Sequence, residues 1–198
     1  MKKTLPVILA LLLGISLLAG CGETAEKAGN DTNTPASSSP SSPRAVSGKT
    51  HSTGDFSVLV PDGWTAAPFR DSSGAEVSDV VAVYKGDESL YIRGDTPIVQ
   101  IYFFPEGEGF GRNTSKSMYM VPEDITPIEI GGVTWEGFTA YSEYIGTVVM
   151  PFTLIWAAVG DDILQVSVFM PRGERDEIKY ALLTDPEISA IISSLKPN

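Results

Sequence analysis

The sequence predicts an α+β domain, a mainly antiparallel sheet flanked by helices, and three observations predict it. From residue 55 onward, short β-branched and aromatic runs bounded by Gly, Pro or Asp follow one another at strand length. Near the C-terminus the apolar spacing changes from alternation to the i, i+3, i+4 spacing of a helix. Strands in succession and then helices, instead of strict alternation of the two, argue against βαβ units and a parallel sheet.

The elements follow in order. DFSVLV (55–60) alternates Phe56, Val58 and Val60 with other residues, and Pro61-Asp62-Gly63 supplies a turn before Trp64. SDVVAVYKG (78–86) and PIVQIYFFP (97–105) are two further strands. From Pro105 to Pro127 the pattern dissolves into a long Gly-rich loop with room for one helical turn; loops of this length in compact domains are often functional. TPIEIGGVTWEGFTAYSEY (126–144) is a hairpin with Gly131-Gly132 at the turn. VVMPFTLIWAAVG (148–160) is nearly all apolar, and predicts a central strand buried on both faces that begins after Pro151. In ILQVSVFMP (163–171), Leu164, Val166, Val168 and Met170 share one face, and Gln165 and Ser167 predict a solvated opposite face.

The end of the chain reads as helix. In GERDEIKYALL, Ile178, Ala181 and Leu182 fall at helical spacing behind acidic residues. Asp185 then stands as an N-cap before Pro186, and Ile188, Ile191, Ile192 and Leu195 form a stripe that packs on the sheet.

The first residues are of a different kind. MKKTLPVILALLLGISLLAGC has two lysines, an apolar run over 5–18 and small residues after it, the layout of a secretory signal peptide over 1–20. An apolar helix of that length spans only about 21 Å, short of the roughly 30 Å hydrocarbon core. Leu18-Ala19-Gly20-Cys21 resembles the lipobox of bacterial lipoproteins. That resemblance implies cleavage before Cys21, lipid on its thiol and an acyl chain such as palmitate on the new amino terminus. The other reading is an ordinary secretory peptide in which Cys21 is incidental. Each buried methylene contributes about 0.8 kcal/mol, so two or three chains on one residue anchor durably where one does not.

Residues 21–53, the acylated Cys21 and the Ser/Pro/Thr-rich stretch after it, carry almost no large apolar side chain and predict a disordered tether. A coil of 22–50 reaches on the order of 30 Å on average. Residues 54–198 then form the folded domain. The chain carries 25 acidic and 14 basic residues, a net charge of −11. Three acidic and five basic residues precede His51, which leaves 22 and 9, or −13, on residues 51–198. Nucleic acid and anionic headgroups would be repelled, so nucleic acid is excluded as a partner and membrane attachment falls to lipid. One cysteine permits no intramolecular disulfide and no Cys-rich metal site.

The order of strands and helices resembles the PsbP-like superfamily, an α/β/α sandwich that includes an extrinsic photosystem subunit, a nuclear import factor and many bacterial lipoproteins. Phe56-Ser57-Val58-Leu59-Val60-Pro61-Asp62-Gly63-Trp64 is similar to the family's opening strand and turn, and Ile188–Leu195 to its closing helix. The likeness covers residues 54–196. It implies a binding or assembly role and carries over no catalytic residue. Members commonly place an amphipathic helix where this chain has the Gly-rich 105–122 segment.

Candidate sites are few. His51 is the sole histidine and stands at the tether boundary, away from any nucleophile pattern. Asp161-Asp162 and Glu106/Glu108 lack the alternating ligands of a calcium loop, and Gly107, Gly109 and Gly111 lack the Lys-Ser/Thr of a phosphate loop; no metal or cofactor is expected. Phe110, Met118, Tyr119 and Met120 sit in a Gly-rich loop of an acidic domain, and read either as an exposed contact surface or as a lid folded onto the sheet. The expected function is a lipid-anchored extracytoplasmic module in a bacterial cell envelope, without enzymatic activity, that binds or helps assemble another envelope component, with an unknown envelope protein as its partner. A carboxylate hydrolase and a small-ligand receptor for a transporter are the alternatives.

Overall fold

The computed structural model describes residues 45–111, 114–145 and 148–198. The signal segment, Leu18, Ala19, Gly20, Cys21 and the tether as far as residue 44 lie outside the described residues.

Two antiparallel sheets form the framework. β1 (Gly48–Ser52) and β12 (Lys196–Pro197) flank β2 (Phe56–Pro61) in a small sheet. The large sheet has the order β3 (Trp64–Arg70), β4 (Glu76–Lys85), β5 (Ile98–Phe104), β10 (Asp162–Phe169), β9 (Val148–Val159), β8 (Val133–Ile145), β6 (Met120–Asp124). β7 (Ile128–Ile130) pairs with the start of β8, and β11 (Gly173–Glu174) with β9. Every pairing is antiparallel, as the succession of short strands predicts.

The main core lies on one face of the large sheet. Val81, Val83, Val99, Ile101, Phe103, Ile155, Leu164, Val166 and Val168 point toward Phe56 and Val58 of the small sheet and toward α2 (Pro186–Ser193). α2 is built as expected: the Asp185 carboxylate accepts from the backbone N–H of Glu187 at 3.0 Å and of Ile188 at 3.2 Å, and Ile188, Ile191 and Ile192 are buried. Burying each isoleucine contributes about 1.5–3 kcal/mol.

The structure corrects the sequence reading at five places. The folded part begins before residue 54, because β1 lies inside the stretch expected as tether. Its side chains are mostly exposed, and it is held by its ladder to β2, where Gly48 runs so close that an added Cβ would stand 2.3 Å from the Val60 carbonyl oxygen. β9 begins at Val148 and runs through Pro151; the Pro151 carbonyl accepts from Met170 N–H at 2.9 Å, so its donor-less nitrogen faces the place where β10 stops. The helical spacing of Ile178, Ala181 and Leu182 forms no helix: a 3-10 turn at Arg175–Glu177 leads into an irregular segment that buries Ala181 and Leu183 and exposes Leu182. A helix the sequence reading missed, α1 (Glu88–Arg93), is capped by Asp87 and ends at Gly94 in the left-handed region.

The fifth correction concerns the outer face of the sheet. Gln165 and Ser167, expected to meet solvent, are 1% and 4% exposed. Aromatic rings cover this face: Tyr91 of α1 stacks on Tyr84 at 4.5 Å, and Phe138, Phe152, Trp156 and Phe169 form a contiguous set. Among the described residues the only helix on this side is the six-residue α1, so an aromatic layer stands where the α/β/α resemblance implies a long helix.

Candidate functional site

β5 delivers the chain to the 105–122 segment. A 3-10 turn at Pro105–Gly107 starts it, with Glu106 at φ 51° and its N–H donating to Asp162 Oδ1 at 3.0 Å. Asp162 thus fastens the loop to the β9–β10 turn. Phe110 returns to the sheet, edge-on to Phe104 at 5.7 Å and 6.0 Å from Trp156. After a second 3-10 turn at Lys116–Met118, Tyr119 also returns, edge-on to Phe152 at 4.9 Å and 5.9 Å from Phe138. Burial pushes the Tyr119 phenol above the usual tyrosine range.

The structure therefore divides the four residues that sequence places together. Phe110 and Tyr119 take the lid reading. Met118, the last residue of the 3-10 turn, and Met120, the first of β6, are on the surface, at 64% and 42% exposed. Val121, which the sequence reading missed, joins them at 56% exposed.

Val121 has a φ of 48°, in the left-handed region that a β-branched side chain rarely enters. Such a residue costs of order 1–3 kcal/mol and persists only where its surroundings hold it. Here the register between β6 and β8 shifts between Met120 and Glu123, and Pro122 follows directly. Lys116 ion-pairs with Asp124 and lies 5.8 Å from the Phe138 ring, which pins the turn to the strand. The shift and Pro122 break the regular row of backbone donors on the sheet's free edge. Met118 at the end of the 3-10 turn and Met120 and Val121 at the start of β6 thus stand as exposed apolar side chains beside this interrupted edge.

At the end of α1 two arginines share one carboxylate. Asp95 meets Arg93 at 2.9 Å and Arg172 at 2.8 Å, which ties the end of α1 to the segment after β10. The hydrogen bond from Arg93, with a second from Arg172, holds its carboxyl below the usual value of 3.8. His51 sits on β1 opposite Val58 and lines a surface depression with Ser52, Glu76 and Ser78, and among the described residues no hydrogen bond joins its ring to them. Among the described residues no group of three His, Cys, Asp or Glu side chains is placed to hold a metal ion, and no helix is long and apolar enough to cross a membrane.

No family model and no curated protein matches the chain. Among solved structures it is similar in outline to a protein of Bacteroides thetaiotaomicron, at 16% identity and a TM-score of 0.43 over 72% of this chain, and spans 45% of that protein's length. It is similar also to LpqN of Mycobacterium tuberculosis, a protein involved in cell envelope biogenesis, at 11% identity and a TM-score of 0.40 over 75% of this chain and 89% of that one.

Proposed function

We propose that this chain is a bacterial envelope lipoprotein, anchored through Cys21 on the extracytoplasmic side, whose PsbP-like domain binds another envelope protein without catalysing a reaction. The observation that carries the reading is the exposed trio Met118, Met120 and Val121 on a strained, pinned sheet edge. Methionine side chains adapt to irregular partner surfaces, and apolar anchors supply most of the energy at protein interfaces. With Pro122 and the register shift beside them, docking runs through these side chains and not through an added strand.

The test is a photo-crosslinking residue at position 120 of the full chain in living cells. The expected result is capture of one defined envelope protein. The double variant M118S/M120S, with the crosslinker moved to position 123, loses that capture, while its unfolding free energy stays within about 0.5 kcal/mol because both side chains are on the surface. Undiminished capture by the double variant would overturn the proposal.

A further inference from the structure

β8 and β9 run side by side over most of their length and then part. Their register starts with Glu136 opposite Trp156. Before that pair, Val133–Trp135 turn to β7; after it, Ala157, Ala158 and Val159 stay with β10. Each strand therefore turns one backbone edge toward the gap. The gap is a cleft of about 530 Å³, lined by Gly132, Thr134, Glu136, Trp156, Ala157 and Ala158 among others. That volume lies within the usual range for small-molecule sites, about 300–1,000 Å³.

Two side chains give the cleft its chemistry. Trp156 is half-buried, its ring set by Phe110 at 6.0 Å and Phe138 at 6.3 Å. Glu136 is its direct cross-strand neighbour, which places the two Cβ atoms about 5 Å apart. Glu136 is exposed and makes no ion pair among the described residues.

Elsewhere the domain repeats one arrangement three times, an aromatic ring, a cation over it and a carboxylate on the cation. Lys85 lies 5.9 Å from the Trp64 ring and pairs with Glu187 at 2.6 Å. Lys116 lies over Phe138 and pairs with Asp124. Arg175 lies 5.7 Å from the Tyr141 ring and pairs with Glu143 at 2.6 Å. Trp156 and Glu136 supply the ring and the carboxylate of the same arrangement, and among the described residues no Lys or Arg of the chain stands over that ring.

We propose that the cleft between β8 and β9 binds an organic ammonium ion, with the charged group over the Trp156 indole and Glu136 as its counter-ion. An indole face attracts ammonium groups more strongly than other aromatic faces do. The −13 charge of residues 51–198 draws cations to the domain. Gly132, Ala157 and Ala158 keep the walls low, and the Thr134 hydroxyl and open backbone carbonyls can accept from N–H groups of a primary ammonium. This site does not depend on the docking of the β6 edge, which pairs with β8 further along at residues 138–141.

The test uses the full chain in detergent and follows the Trp156 indole N–H signal by NMR. Choline and the side chain of Nα-acetyl-lysine methylamide are the probes, one for a quaternary headgroup and one for a lysine. The neutral choline isostere 3,3-dimethylbutan-1-ol and glucose are the controls. Saturable shifts with at least one ammonium probe and none with the controls are expected, and the preferred probe tells which source the cleft suits. E136Q, a surface change that leaves the fold intact, weakens binding about tenfold or more; W156L, whose spectrum lacks one indole N–H signal and so assigns it to Trp156, shows no binding when the same probes are titrated by calorimetry. Equal shifts from the isostere or from glucose, unchanged affinity in E136Q, or no shift with either ammonium probe would each overturn the proposal. Loss of partner capture in M118S/M120S leaves these shifts unchanged, so the two readings fail separately.

Discussion

Gln165 shows how a residue's surroundings can reverse its sequence reading. Its amide oxygen is buried on the outer face without a hydrogen-bond partner. An unsatisfied buried acceptor carries its desolvation penalty of about 1–3 kcal/mol, whereas an apolar group of the same shape does not. Q165M is therefore expected to stabilise the domain by about 1 kcal/mol, read as a higher urea midpoint at unchanged slope. An equal loss would show that the amide finds a partner in solution. Asp95 is the counterpart, an exposed group that is fully paired. Its carboxyl sits below 3.8 when folded, so its contribution is present above that value and fades as pH falls through the lower, folded value. The melting temperatures of the parent and D95N should differ at pH 6 and converge toward pH 3, and a gap that stays constant with pH would refute the role given to Arg93 and Arg172.

Among the elements, α2 was the most legible, because its signals are local. Asp185 before Pro186 marks the start, and three isoleucines at i, i+3 and i+4 mark the buried side. D185A removes the acceptor for two backbone N–H groups, and should cost about 1 kcal/mol in chemical denaturation. A cost near zero would mean that water replaces the cap. β1 and α1 were not legible for opposite reasons. β1 has no side-chain pattern, since its stability comes from a backbone ladder with a strand whose partner cannot be read locally. α1 had its cap Asp87 and its terminal Gly94, but six residues are too few to show a period. The helical spacing at 178–182 misled because three apolar residues fit a helix and an extended segment equally well. Contact with the core chose the second, and buried Ala181 and Leu183. Of the candidate loop, sequence located the segment but not its division. That Tyr119 faces in and Met118 and Met120 face out depends on the register of β6 against β8.

For the whole molecule, charge and anchor work together. A domain at −13 gains nothing from an anionic bilayer, and the proposed attachment therefore rests on lipid at Cys21. Cell fractionation of C21S should move the protein from the membrane to the soluble fraction, and a high-salt wash should leave the parent in place. If C21S stays with the membrane, the anchor lies elsewhere. The same acidity argues against a nucleic-acid partner and fits the cationic ligand proposed at Glu136.

By itself the sequence determined the antiparallel α+β class, most of the strands of the large sheet, the closing helix and the charge of the domain. All of these depend on residues near one another in the chain. Only the tertiary structure decided which side of each strand is buried, that an aromatic layer covers the outer face, and that Trp156 and Glu136 open a cleft where β8 and β9 part. Those features arise from register between strands distant in sequence. Register is settled by the packing of the whole sheet and leaves no local mark on the residues it brings together.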